Sequence, residues 1–237
     1  MGLADLHIHS DYSDGAASVE RILFRACHLG LDTIAVTDHN EIAGALEARR
    51  LAERWQLPVQ VIVGEEVTTS EGHVVGLFLK ERIRPLLTAQ ATVDEIHRQG
   101  GLAIAVHPFS AWLKMFDCGG VGRLVERLQF DALETANGNI TEGFSNAWTR
   151  GYNRRVTRLA ELGGSDAHTE AAIGQGVTVY PGAGAGMLRQ AIYYRATTAR
   201  ESAWKLGAMA DFLKNHLLGK MDLYGAKGGA IGQSGTI

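Results

Sequence analysis

Two kinds of periodicity alternate along this chain, and that alternation limits its fold more than any other feature. Short runs rich in Val, Ile, Leu and Ala recur at 3–9 (LADLHIH), 32–40 (DTIAVTDHN), 58–69 (PVQVIVGEEVTT), 73–79 (HVVGLFL), 102–108 (LAIAVHP), 130–137 (FDALETAN) and 176–180 (GVTVY). Runs of this length and composition read as strands. Between them lie stretches whose apolar residues follow helical spacing: 18–30, 41–56, 92–101, 145–163, 185–195 and 198–219. Ser18 reads as an N-cap, Gly30 as a stop, and Thr92 with Glu95 as a capping box. Asp38 is an N-cap candidate for the second helix and equally a candidate to orient a neighbouring histidine. Strand–helix alternation predicts a parallel sheet covered by helices. About seven β/α units fill the 237 residues, so an α/β closed or distorted barrel is expected. Residues 1–218 are expected to form one domain, and the Gly-rich 219–237 a mobile tail.

Composition removes several alternatives. The chain is 46% hydrophobic, enough for a core without disulfide or metal staples. Its net charge of −3 offers no basic excess, so nucleic acid is not the favoured partner. Cys27 and Cys118 are isolated, which argues against a disulfide framework or thiolate cluster. No secretory pattern opens the chain and no long apolar run crosses it, so a soluble, cytoplasmic protein without a membrane partner is expected. Nothing in the sequence sets an oligomeric state.

The unusual residues fall at the strand ends. His7 and His9 close the first strand, Asp38 and His39 the second, and Glu65 and Glu66 the third. His73 opens the fourth, His107 follows AIAV, Glu134 and Asn137 end FDALETAN, and GGSDAH supplies Asp166 and His168. The C-terminal strand ends of a parallel barrel share one rim, where such residues would converge. Residues i and i+2 of a strand point the same way, so His7 and His9 share a side, as do Asp166 and His168. Imidazoles with carboxylates and no thiolate suit Zn²⁺, Mn²⁺ or Fe²⁺. His28, His97 and His216 sit in helical stretches without an acidic partner at ligand spacing and are read as structural.

In this order, DLHIHSDYSDG, AVTDHN, VGEEV, GH, AVHP and GGSDAH resemble the motifs of the PHP (polymerase and histidinol phosphatase) family over residues 3–180. The resemblance implies a distorted (β/α)₇ barrel holding two or three divalent ions (Mn, Zn or Fe) at its C-terminal rim. It implies His7, His9 and Asp166 at a first ion and Glu66 bridging to a second. His73 and His107 would complete the second, and Asp14, His39 and His168 would hold a third. The implied activity is hydrolysis of a phosphomonoester of a small molecule, in the manner of compact histidinol-phosphatase-type enzymes. A water bridging two ions would lose its proton and attack in line, with Glu66, His39 and His168 in catalytic roles. The alternatives are a nucleotide phosphatase or 5′–3′ exonuclease on short RNA or DNA, and a non-catalytic metal-binding regulator. Arg154, Lys114, Glu134 and Asn137 are candidate substrate contacts, and Trp112 and Phe116 a candidate aromatic wall or lid. Asp5 and Asp11 receive no ligand role.

Overall fold

The computed structural model describes residues 1–110 and 119–202. Lys114, Trp112, Phe116, Cys118, the final helix and the Gly-rich tail lie outside the described residues. Nine strands form one sheet: β1 (Gly2–Ile8), β2 (Thr33–Val36), β3 (Gln60–Thr69), β4 (Gly72–Leu77), β5 (Leu102–Ala105), β6 (Ala132–Asn137), β7 (Ala160–Gly164), β8 (Gly176–Tyr180) and β9 (Thr198–Glu201). Their spatial order is β7-β6-β5-β4-β3-β2-β1-β8-β9. The helices are α1 (Val19–His28), α2 (Ala43–Arg54), α3 (Ala89–Arg98), α4 (Gly143–Tyr152) and α5 (Gly184–Tyr193).

The sheet is mixed, which corrects the expectation of an all-parallel seven-unit barrel. β1, β2 and β3 run parallel, as do β5, β6 and β7. β4 runs against both neighbours, β8 runs against β1, and β9 against β8. The β3–β4 connection is a tight hairpin at Ser70–Glu71, too short for the helical crossover that a parallel pair needs. This reversal brings the N-terminal end of β4, and with it His73, to the rim formed by the C-terminal ends of β1, β2 and β3.

Three local assignments also differ from the sequence pattern. The helix expected over 145–163 stops at Tyr152, passes through a π-turn (Asn153–Thr157), and gives way to β7. Asn153 accounts for the break: its side chain accepts from Leu159 N at 2.9 Å and donates to Leu159 O at 3.1 Å, bonding that competes with a helical ladder. Helix α3 is capped by Thr88, whose hydroxyl accepts from Ala91 N at 3.2 Å, and Thr92 is buried within it. The stretch from 198, expected as helix, begins as β9.

The core lies inside the curved sheet. Ala4 and Leu6 of β1, Ala35, Ile62, Val75 and Leu77, Ile104 and Val106, Ala132, and Ala160 and Leu162 pack together with Tyr180 and with Leu188, Ala191 and Ile192 of α5. Each fully buried Leu or Ile contributes about 1.5–3 kcal/mol. The far end is tied by Tyr180, whose hydroxyl donates to Asp32, and Asp32 also accepts from Gly184 N at 2.9 Å. The sheet nearly closes where β7 meets β1 and β8. His9 N donates to Ala167 O at 3.0 Å, and Thr178 Oγ1 bonds both Gly163 N and Gly163 O at 2.9 Å.

Closure depends on glycine at this seam. A Cβ on Gly164 would collide with His7 Cβ and come within 2.8 Å of Glu134 Oε1. Gly164→Ala is therefore expected to destabilise the protein by about 1–3 kcal/mol through overpacking. Gly186→Ala, in α5 where an added Cβ meets nothing within 4 Å, is expected to stabilise by about 0.5–1 kcal/mol. Urea unfolding of the two variants measures both signs.

Candidate metal centre

Each histidine reaches the rim by a specific backbone device. The inward residues of β1 are Ala4 and Leu6, so strict alternation would turn His7 outward. The register between β1 and β2 slips by one residue between Asp5 and Ile8. This bulge re-aims His7 and, two residues on, His9 into the barrel mouth. β6 has the same device: its register on β7 slips between Glu134 and Ala136, which lets Glu134 and Asn137 meet inside. Just after β5, Val106 faces the core and His107 follows it with φ 28°, a left-handed backbone that turns its side chain inward as well. Asp166 also sits at positive φ, 52°. β2, β3 and β4 need no device, because Ala35, Ile62 and Val75 alternate directly to His39, Glu66 and His73.

The side chains converge on the Glu66 carboxylate. Oε2 lies 3.1 Å from His7 Nε2, 3.2 Å from His9 Nε2 and 3.4 Å from His39 Nδ1. Oε1 lies 2.9 Å from His73 Nδ1 and 3.1 Å from His107 Nε2. Asp166 Oδ1 is 3.3 Å from His9 Nε2, 3.6 Å from His7 Nε2 and 3.7 Å from His168 Nδ1. Asp14 Oδ2 is 3.1 Å from His168 Nε2 and 3.7 Å from His39 Nε2. His7, His9, Glu66, His73, His107 and Asp166 are buried, whereas the side chains of His39, His168 and Asp14 are 27%, 30% and 52% exposed. The site thus grades from a closed inner end to an open outer one.

Charge follows the same geometry. Burial pulls His7 and His9 down, but Asp166 and Glu66 outweigh it, raising His7 well above the ordinary imidazole value and His9 to about 10. His107 is raised against burial by Glu66. His39 is held low by burial despite Glu66. Glu66 and Asp166 are held well below the usual carboxylate range: burial opposes this, and the surrounding imidazoles, led by His39 and His7 respectively, override it. Asp14 is lowered by His168 in the same way.

The donor set fits divalent cations. His9 Nδ1 and Nε2, His39 Nδ1 and His107 Nδ1 are buried without a hydrogen bond, an arrangement that costs energy unless lone pairs meet a cation. Among the described residues, three groups place one donor atom each within 4.8 Å of one another: His7, His9, Glu66 and Asp166; His39, Glu66 and His73; and His9, Asp14, His39 and His168. His107 joins the second group through Glu66 Oε1. His9 and His39 each serve two groups, one more than the sequence reading gave them.

Supporting residues surround this set. Glu65 points away from the rim and accepts from Ile83 N at 2.8 Å, with burial raising it to about 7. Asp38 does not cap α2, since Glu41 accepts from Ile42 N and Ala43 N instead. Asp38 accepts from Ser10 N (2.7 Å), Ser10 Oγ (2.6 Å) and Ser13 Oγ (2.8 Å), fixing the loop between His9 and Asp14. Asp5, which the sequence reading left without a ligand role, accepts from Ser165 N (2.9 Å) and Gly174 N (2.8 Å) and so anchors the segment carrying Asp166 and His168. Its one signal in the sequence was an acid inside an apolar strand. Glu134 and Asn137 are buried among the ligands: Glu134 Oε1 is 3.0 Å from His7 Nδ1, and Asn137 Nδ2 donates to Glu134 Oε2 at 3.0 Å. Arg154 is exposed on the π-turn before β7, at the opposite end of that strand from Asp166, so the structure does not bring it to the centre. His97 has an acidic partner after all, Asp131 at 2.9 Å. No helix among the described residues is long and apolar enough to cross a membrane.

Comparison with known proteins agrees with this architecture. An uncharacterized protein of Methanocaldococcus jannaschii is 36% identical over 154 residues, 60% of this chain and 86% of that one. A phosphoribosyl 1,2-cyclic phosphate 1,2-diphosphodiesterase of Eggerthella lenta is 39% identical over 85 residues, and a 5′–3′ exoribonuclease of Haemophilus influenzae 38% identical over 89. The matched stretches span only about a third of those two enzymes, 32% and 31%. The fold matches a solved two-domain protein of Bacteroides vulgatus, described as containing a predicted PHP-like metal-dependent phosphoesterase. That match has a TM-score of 0.67 and 22% identity, over 84% of this chain and 64% of that one. The PHP domain family model matches residues 5–206, and on that span the chain belongs to the PHP domain family.

Proposed function

We propose that the chain is a metal-dependent phosphoesterase that hydrolyses a phosphomonoester of a small molecule. The observation that carries this reading is the buried carboxylate of Glu66 ringed by five imidazoles, with an open flank of Asp14, His39 and His168. Manganese, zinc or iron ions held there would polarise phosphoryl oxygens and lower the pKa of water. His7, His9 and Asp166 would hold one ion, with Glu66 shared between it and the His73–His107 side. Asp14, His39 and His168 would hold another. His39 and His168 are the partly exposed imidazoles of the set, so they stand where a leaving-group oxygen would emerge. The rim excludes bulk water from Glu66 and leaves it at Asp14, which orients the ester with phosphate inward and alcohol outward. Contacts from Glu134 and Asn137 to substrate are not part of this reading, since both side chains are occupied by neighbours inside the rim.

A second reading is cleavage of a phosphodiester, in a cyclic phosphate or at the 5′ end of short RNA or DNA. The local sequence similarity to the Eggerthella diphosphodiesterase and the Haemophilus exoribonuclease favours it. A panel of phosphomonoesters, nucleotides, cyclic phosphates and 5′-phosphorylated oligonucleotides, assayed with Mn²⁺, separates the two. The first reading expects the fastest turnover on a monoester, and faster turnover of any diester overturns it. His7→Ala is expected to lower turnover by more than the ~10–100-fold typical of losing a partner of a metal ligand. Chelator treatment is expected to abolish activity and re-addition of Mn²⁺ to restore it. In thermal unfolding, ion at a hundred times its Kd is expected to add about 2.7 kcal/mol over the stripped protein.

A further inference from the structure

Glu134 bonds three groups at once. Its Oε1 lies 3.0 Å from His7 Nδ1, and its Oε2 accepts from His107 N at 2.8 Å and from Asn137 Nδ2 at 3.0 Å. The carboxylate is buried, and room for it exists only because residue 164 is glycine. Both donors on Oε2 are amide N–H groups that have no other protonation state, so Oε2 is committed as an acceptor. Among the described residues, Oε1 then has His7 Nδ1 as its hydrogen-bonding partner. With a cation held beside Glu66 Oε2 and Asp166 Oδ1, a carboxylate oxygen there keeps the hydrogen on Nδ1 and leaves the Nε2 lone pair for the ion.

We infer that Glu134 is a positioning residue that fixes the tautomer of His7 and, through the His107 amide, the strained backbone of a second ligand. The inference rests on reading the rim as a metal centre. The His107 amide bond matters because φ 28° is unfavourable for histidine, and Glu134 is what holds that N–H inside the rim. Asn137 extends the support: the same Nδ2 lies 3.3 Å from Asp166 Oδ2. One side chain therefore connects His7 on β1 with His107 after β5, and its neighbour reaches Asp166 after β7.

Glu134→Gln tests the assignment with almost no change of volume. The two amide donors keep the Gln oxygen at the Oε2 position, so its NH₂ group faces His7 Nδ1. That imidazole must then accept at Nδ1 and carry its proton on Nε2, where the ion would bind. Long-range ¹H–¹⁵N spectra of histidine-labelled full-length protein, metal-free and with Zn²⁺, report the tautomer. Titration with Zn²⁺ reports affinity. The expected results are Nδ1–H on His7 in the Zn²⁺-loaded wild type, Nε2–H in metal-free Glu134→Gln, and Zn²⁺ binding weakened about 10–100-fold in the variant. A purely structural Glu134 would lower the Tm and leave tautomer and affinity unchanged, which overturns the proposal. Zn²⁺ on Nδ1 of wild-type His7 also overturns it, and that measurement decides the matter if Glu134→Gln does not fold. A Zn²⁺-loaded protein with Nδ1–H on His7 that hydrolyses no phosphate ester would refute the phosphoesterase reading and leave this assignment standing.

Discussion

The structure depends on one buried anion. Glu66 is almost wholly removed from water, yet its two oxygens lie within 3.4 Å of nitrogens from five histidines, brought in by β1, β2, β4 and the turn after β5. An ionised carboxylate in such a place is costly unless positive charge surrounds it. Protonated imidazoles meet that need partially, and divalent cations meet it more fully. Every neighbouring feature answers to this arrangement: the bulge that turns His7 inward, the reversed strand that delivers His73, and the left-handed turn at His107.

The second tier of the site is a set of acids that never reach the mouth. Asp5, Asp38 and Glu134 each accept two or three hydrogen bonds, from backbone N–H groups and side chains on segments that carry ligands. Strands fix His7, Glu66 and His73, which lie within them, but His9, Asp14, His39, His107, Asp166 and His168 lie beyond strand ends. Buried carboxylates do for those loops what the ladder does for the strands. This is why six ligands beyond the strand ends can share one geometry with three within the strands.

Much of this was legible in the sequence, for identifiable reasons. His7, His9, His39, Glu66, His73, His107, Asp166 and His168 stand beside apolar runs, and a run's end marks the rim of a barrel. The turn away of Glu65 follows from period-two alternation. What the sequence concealed was everything set by register. Nothing in LADLHIH announces a bulge, because an inserted residue changes pairing without changing composition. The reversal of β4 was likewise invisible in HVVGLFL, which reads the same in either direction, although the short Ser70–Glu71 connection carried the information. The strand β7 hid inside a helical pattern because LAELGG suits both periods, and only the side-chain bonding of Asn153 decides between them. Glu134 was placed at the rim only as a candidate substrate contact, because two of its partners, the His107 N–H and the His7 imidazole, lie far away in sequence.

The packing of α5 against the barrel floor has a kinetic meaning. Leu188, Ala191 and Ile192 pack with Tyr180 and with the inward residues of the central strands, and Asp32 ties that end shut. Among the described residues, side chains fill the interior beneath the histidines, so a molecule that reaches them past Asp14 departs on the same side. Arrival and departure then compete for one face, and a product lingering among the ligands delays the next molecule.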